Sequence, residues 1–206
     1  PEQRLLPVLS ATVASALPPD RAALVKTQTS LRTPADALII ASGQADLVVV
    51  GPHGRGRINE LLLGSTADEV ASRAACPVAV VHGLRHPLTH RIVVGIDGSA
   101  CARRALAWAL SQAERTNSHV DAVGVWDWRP MYTVTPHGPS DTTPKDWAEQ
   151  LLAEALEQLT AEQAARVSVH VREGNDAVEL VAAGDAADLI VLGRHGSGGR
   201  SWGSVS

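Results

Sequence analysis

The chain has 206 residues, 45% of them apolar and 19% charged, and its 18 basic against 22 acidic side chains leave a formal charge of −4. That balance is the mark of an ordinary globular chain and excludes a disordered or fibrous one. A polyanion binder carries a basic excess and a single-strand binder adds aromatic platforms, but this chain has five Trp, one Tyr and no Phe, so no nucleic-acid partner is expected.

In chain order, residues 3–16 predict a helix with Pro7 in or just before its first turn, and residues 24–28 a strand. Thr33 N-caps a helix that has Pro34 at its first position, Asp36 in its first turn and Gly43 after its end. Residues 47–50 form a strand apolar on both faces, which belongs in a parallel sheet covered by helices on both sides. A glycine loop leads to a helix from Ser65 to about Ala75, and residues 78–81 form a strand. Next, residues 92–96 predict a strand, Asp97-Gly98 its exit turn, and Ser99 the cap of a helix. That helix carries an apolar stripe of Ala102, Ala105, Leu106, Ala109, Leu110 and Ala113. A strand over 120–126 precedes a polar, Pro-containing loop and a long helix from Thr143-Pro144 with Leu151, Leu152, Ala155, Leu156 and Leu159 inward. A strand at 167–171, a helix capped by Asn175 with Leu180 and Val181 on its apolar face, and a strand at 189–192 complete the series. Alternating strands and helices predict an α/β, doubly wound parallel sheet.

The chain repeats itself. Shifted by 142 positions, residues 33–57 align without a gap on 175–199, with identities at Leu38/Leu180, Asp46/Asp188, Leu47/Leu189, Gly51/Gly193, His53/His195, Gly54/Gly196 and Gly56/Gly198. A repeat of this period is a domain. Two tandem domains are expected, at 1–82 and 91–206, joined by a linker at 83–90. The first lacks a counterpart of 91–126, and the second stops before any counterpart of 67–81. With Pro1 at the start, this predicts a fragment of a chain longer at both ends. In an alternative, permuted arrangement, residues 91–126 complete the sheet of residues 1–81.

The glycine loops carry the chemistry. Gly51-Pro-His-Gly54, nine residues, then Gly64-Ser65 opens a helix after an apolar strand. Glycines there let the backbone approach an anion, and free N–H groups at the helix start face phosphates. Ser65 can add a hydroxyl or simply cap the helix. No Lys follows the last glycine, so this is not a P-loop, and local positive charge comes from Arg55 and Arg57.

The G-x2-G-x9-G-S pattern, the following Ala-Cys-Pro and Val-Ala-Val-Val, and the opening from Val93 to Ser99 resemble the ATP-binding branch of the universal stress protein family. The resemblance covers nearly the whole chain. It implies a Rossmann-like, adenine-nucleotide alpha hydrolase-like sheet of order 3-2-1-4-5, with ATP, alone or with Mg2+, at the carboxyl ends of the strands. By the same resemblance Asp97 meets adenine and ribose, and Val125 meets adenine through its backbone. Gly193, His195, Gly196, Gly203, Ser204 and Val205 form the phosphate and ribose loop of the second domain; Gly51, His53, Gly54, Gly64, Ser65 and Thr66 do so in the first. It also implies tandem domains that pair with each other and chains that form homodimers.

Two departures stand out. Gly196 to Gly203 spans six residues where Gly54 to Gly64 spans nine, and the first domain has no counterpart of Asp97. Losing three residues shortens an extended segment by up to about 10 Å. No Ser-His-Asp or paired-carboxylate set can be assembled, so no catalytic residue and no metal ligand is named. Three functions remain open: a stress-response protein with ATP as ligand and at most slow hydrolysis, a nucleotide hydrolase or phosphotransferase, and a nucleotide-free interaction module of the same fold. Two cysteines, Cys76 and Cys101, cannot build a disulfide framework. Nor does any apolar stretch approach the roughly 20 residues that cross a bilayer, so a soluble, cytoplasmic chain with no membrane partner is expected.

Overall fold

The structure, a computed structural model, describes residues 2–52, 63–83, 87–127 and 143–194. It divides after Gly83 into two compact units.

The first unit contains α1 (Glu2–Ala16), α2 (Pro19–Ala22), α3 (Pro34–Ser42), β1 (Val48–Val50), α4 (Ser65–Arg73) and β2 (Val78–Val80). As its sequence predicts, α3 starts at a Thr33 N-cap whose hydroxyl oxygen accepts the Asp36 N–H at 3.2 Å, with Pro34 in the first turn. β1 and β2 pair in parallel, Val48 opposite Val78 and Val50 opposite Val80. Their shared core joins Ala35, Val48, Val70 and Ala74 to Leu38, Ile39, Val50, Cys76 and Val78. Ser42, almost fully buried, ties the helices together: its hydroxyl donates to the Ile39 carbonyl at 2.6 Å and accepts the Ala75 N–H at 2.8 Å.

Three expectations for this unit are corrected. Residues 24–28 are not a strand: Leu24 is 82% exposed, and this segment has neither a ladder partner nor a face to bury. Pro7 lies inside α1, beyond the first turn. Among the described residues, helices cover only one face of the two-stranded sheet, since Val48 and Val50 point into the core while Val49 is 58% exposed.

The second unit contains β3 (Arg91–Gly95), α5 (Ala100–Thr116), β4 (His119–Trp126), α6 (Pro144–Leu156), α7 (Ala161–Ala164), β5 (Val167–Glu173), α8 (Asp176–Gly184) and β6 (Leu189–Val191). Its four strands are all parallel, in the order β5-β4-β3-β6. β3 therefore pairs with β4 and β6, so the permuted arrangement, with residues 91–126 added to the first unit, does not occur. Strand alternation sends Ile92, Val94, Val120 and Ala122 to a core with α5 and α6, and Val93 and Val123 to the opposite core with Leu180 of α8. All six stripe residues of α5 are buried, and the helix ends on Asn117 in the left-handed conformation. α6 opens with a capping box between Thr143 and Asp146 and buries Ala148, Leu152 and Ala155. In α8 Leu180 is buried as expected, but Val181 is 60% exposed. The helix packs over β3, β4 and β6, and Ala183 takes the inward position instead.

Side-chain ties hold the start of this sheet. Asp188 accepts the backbone N–H groups of Thr89 and His90 at 2.8 and 2.7 Å. Asp121, 3% exposed, accepts Arg91 Nε at 2.9 Å and Nη2 at 2.6 Å and lies 3.1 Å from His170 Nε2. Among the described residues no helix is long and apolar enough to cross a membrane.

Candidate functional site

In the second unit the chain runs from β3 to β4 through α5 and, further on, from β5 to β6 through α8, passing β3 on opposite sides. The strand order thus reverses between β3 and β6. In open α/β sheets the crevice beyond the carboxyl ends of strands at such a reversal is where ligands bind, because the two loops there diverge and leave space.

Three sequence-predicted residues meet at this end. Gly95 pairs with Val123 and Val94 with Val191. Two residues further along, Asp97 and Gly193 stand just past the ends of β3 and β6, at nearly the level of Val125 in the last part of β4. The Asp97 turn is built locally: its Oδ1 accepts the Ser99 N–H at 2.9 Å, and Ser99 caps α5 by accepting the Ala102 N–H at 3.0 Å. Between them Gly98 sits at φ +78°, and a Cβ there would lie 2.5 Å from Leu151 Cδ2. Arg103 Nη1 donates to the Gly98 carbonyl at 2.7 Å. Gly193 lies directly on the first turn of α5, where a Cβ would come within 2.8 Å of Cys101 Cβ and 2.9 Å of the Cys101 carbonyl carbon. Only glycine permits that approach.

Two acidic residues not singled out from the sequence join this end. Asp127 follows β4 directly, and Asp176 is the first residue of α8. Burial pushes the Asp176 carboxyl above the usual carboxylate range, and the charges of Asp127 and then Asp97 add to the shift. The signal available was positional: each is a polar residue at the exit of a strand or the entry of the helix that follows. Carboxylates therefore gather beyond β3, β4 and β5, while Gly193 and the start of α5 lie toward β6. Among the described residues no three His, Cys, Asp or Glu side chains are grouped to hold a metal ion.

In the first unit Gly51 follows β1, and the Gly64 N–H donates to the Pro52 carbonyl at 2.7 Å, so the two ends of the intervening loop meet. Gly64 itself is the N-cap of α4, without a side-chain capping bond. Ser65 is consequently the first helical residue, exposed, and not the cap; Thr66 follows it, half-buried. His53, Gly54, His195, Gly196, Gly203, Ser204 and Val205 lie outside the described residues.

The sequence model of the Universal stress protein family matches residues 18–82 and 89–206. A universal stress protein of Mycobacterium bovis is 35% identical over 188 residues, covering 87% of this chain and 62% of the relative. One from Mycolicibacterium smegmatis is 34% identical over 192 residues, covering 91% and 64%. Among solved structures, a universal stress protein from Archaeoglobus fulgidus superposes with a TM-score of 0.57 at 19% identity, covering 91% of this chain and 63% of that one. At that identity the likeness shows the α/β fold alone. The chain spans less than two thirds of the length of these relatives.

Proposed function

The chain belongs to the universal stress protein family, and from that premise we propose that it binds ATP as a ligand in a stress or dormancy response, with at most slow hydrolysis. In this reading the two units are tandem copies of one domain, and β5-β4-β3-β6 supplies strands 3-2-1-4 of the order 3-2-1-4-5. The observation that carries the reading is the alignment of Asp97, Val125 and Gly193 at the carboxyl ends of three adjacent strands, on both sides of the β3/β6 reversal. The cradle fits the ligand: Gly193 brings backbone against the start of a 17-residue helix, where phosphate is favoured, and Asp97 offers a carboxylate to ribose hydroxyls. The Val125 backbone lies level with both, at the adenine end. Mg2+ carried on the phosphates of ATP is part of this reading. The half-buried cysteines fit the reducing cytoplasm, and pairing between the two units and between chains belongs to the same reading.

Denaturing the purified chain and identifying released nucleotide by mass spectrometry, with an ATP-dependent shift in melting temperature, tests this directly. About one ATP per chain, or a saturable shift, supports it. An empty protein with no shift sinks it and favours a nucleotide-free interaction module, the reading supported by the six-residue spacing from Gly196 to Gly203. Single-turnover hydrolysis separates a ligand from a substrate.

A further inference from the structure

We propose that Arg104 is a side chain that reads the phosphates in the second unit, and that the climb of affinity there with the number of phosphates depends on its guanidinium. The inference rests on the nucleotide reading above and adds a residue to it.

Charge distribution sets the orientation of an anionic ligand. Asp97, Asp127 and Asp176 repel phosphates from the ends of β3, β4 and β5, leaving the Gly193 side, where backbone lies on the first turn of α5. A phosphate chain needs a cation there. The whole chain has only two lysines, Lys26 and Lys145, so arginine is the cation at hand: Arg194 follows Gly193 directly, and α5 brings Arg103 and Arg104 to the same end.

α5 offers two consecutive arginines with different local partners. Arg103 is held by the Gly98 carbonyl at 2.7 Å, a strong acceptor, and fixes the turn that carries Asp97. Arg104 reaches back one turn, as helical side chains do, and Nη2 rests 3.1 Å from Cys101 Sγ. Cys101 is the residue that Gly193 touches, so this guanidinium sits one side chain away from the exit of β6. Sulfur is a weak acceptor, and among the described residues Arg104 makes no ion pair, so its planar fork can turn to a phosphate at little loss.

The test is calorimetric titration of the full chain and its Arg104→Gln, Arg104→Lys and Arg103→Gln variants with AMP, ADP, ATP and inorganic tripolyphosphate. Arg104 is exposed, so the variants should fold, which a melting curve checks. In Arg104→Gln, ATP and tripolyphosphate should weaken about tenfold and AMP less than about twofold, with a shallower salt dependence. Arg104→Lys should retain part of the ladder, and Arg103→Gln should weaken AMP and ATP alike through the Asp97 turn. An unchanged ATP-to-AMP ratio in Arg104→Gln overturns the proposal while leaving nucleotide binding intact. No binding of any nucleotide by the wild type overturns the proposed ATP-binding function instead; tripolyphosphate binding that still depends on Arg104 would then uphold the phosphate site alone.

Discussion

Replacing Gly193 by alanine tests whether the exit of β6 truly lies on α5. The added Cβ would stand 2.8 Å from Cys101 Cβ, 2.9 Å from the Cys101 carbonyl carbon and 3.0 Å from the Ala102 nitrogen. Two of those three neighbours are backbone atoms in a helical turn and cannot rotate away, so the loop after Val191 must lift. Overpacking of this kind costs about 1–3 kcal/mol. For a unit of this size that corresponds to a fall of about 4–12 °C in melting temperature. All five tryptophans lie between residues 108 and 202, so Trp fluorescence follows the second unit without interference from the first. Gly83→Ala, which meets nothing within 4 Å, provides a baseline expected within about 0.5 kcal/mol of wild type by circular dichroism. If Gly193→Ala melts with the wild type and binds ATP equally, the backbone of Gly193 is not seated on α5, and the phosphate cradle argued from that contact is refuted.

Other perturbations follow from single contacts. Gly98→Ala forces a Cβ into φ +78° against the mobile end of Leu151, and should cost about 1–2 kcal/mol in thermal unfolding and weaken ATP by displacing the Asp97 turn. Asp121→Ala removes the acceptor shared by Arg91 and His170; because both partners are half-exposed and rehydrate, the loss in a urea melt should be about 1–3 kcal/mol. Ser42→Ala removes the hydroxyl that accepts the Ala75 N–H; because Ala75 is exposed and its N–H can rehydrate, the first unit should lose about 0.5–1.5 kcal/mol by circular dichroism, leaving Trp fluorescence unchanged. The Asp176 carboxyl has a folded pKa above its unfolded value, so its ionised form opposes folding at neutral pH and the penalty is relieved as pH falls through the raised pKa. Asp176→Asn should therefore stabilise the second unit at pH 7 and lose that advantage on acidification toward pH 4; a gain constant with pH would contradict the assigned cause.

Much of the site was visible one residue at a time. Asp97-Gly98-Ser99 reads as turn and cap because a carboxylate, a glycine and a hydroxyl each have a local job there, and the structure shows each doing it. Gly193 was legible through its repeat partner Gly51, although the reason for glycine, contact with Cys101 and Ala102, comes from residues more than 90 positions away. Asp127 and Asp176 were not legible: a lone acid after a strand has many roles, and only the parallel order β5-β4-β3 sets the two beside Asp97. Arg103 and Arg104 look alike in sequence, and their different acceptors separate them.

What the sequence determined by itself was local and periodic. The caps at Thr33, Ser99, Thr143 and Asn175, the buried stripe of α5 and the apolar strands follow from backbone hydrogen bonding and side-chain period, which act over a few residues. Whether an apolar stretch becomes a strand was decided in three dimensions. Residues 24–28 resemble a strand as much as residues 189–191 do, yet only the latter find β3 to pair with, since a ladder needs a partner that local sequence cannot supply. Val181 and Val49 are apolar and exposed for the related reason that burial depends on what packs opposite, and one-sided cover leaves the other face in water.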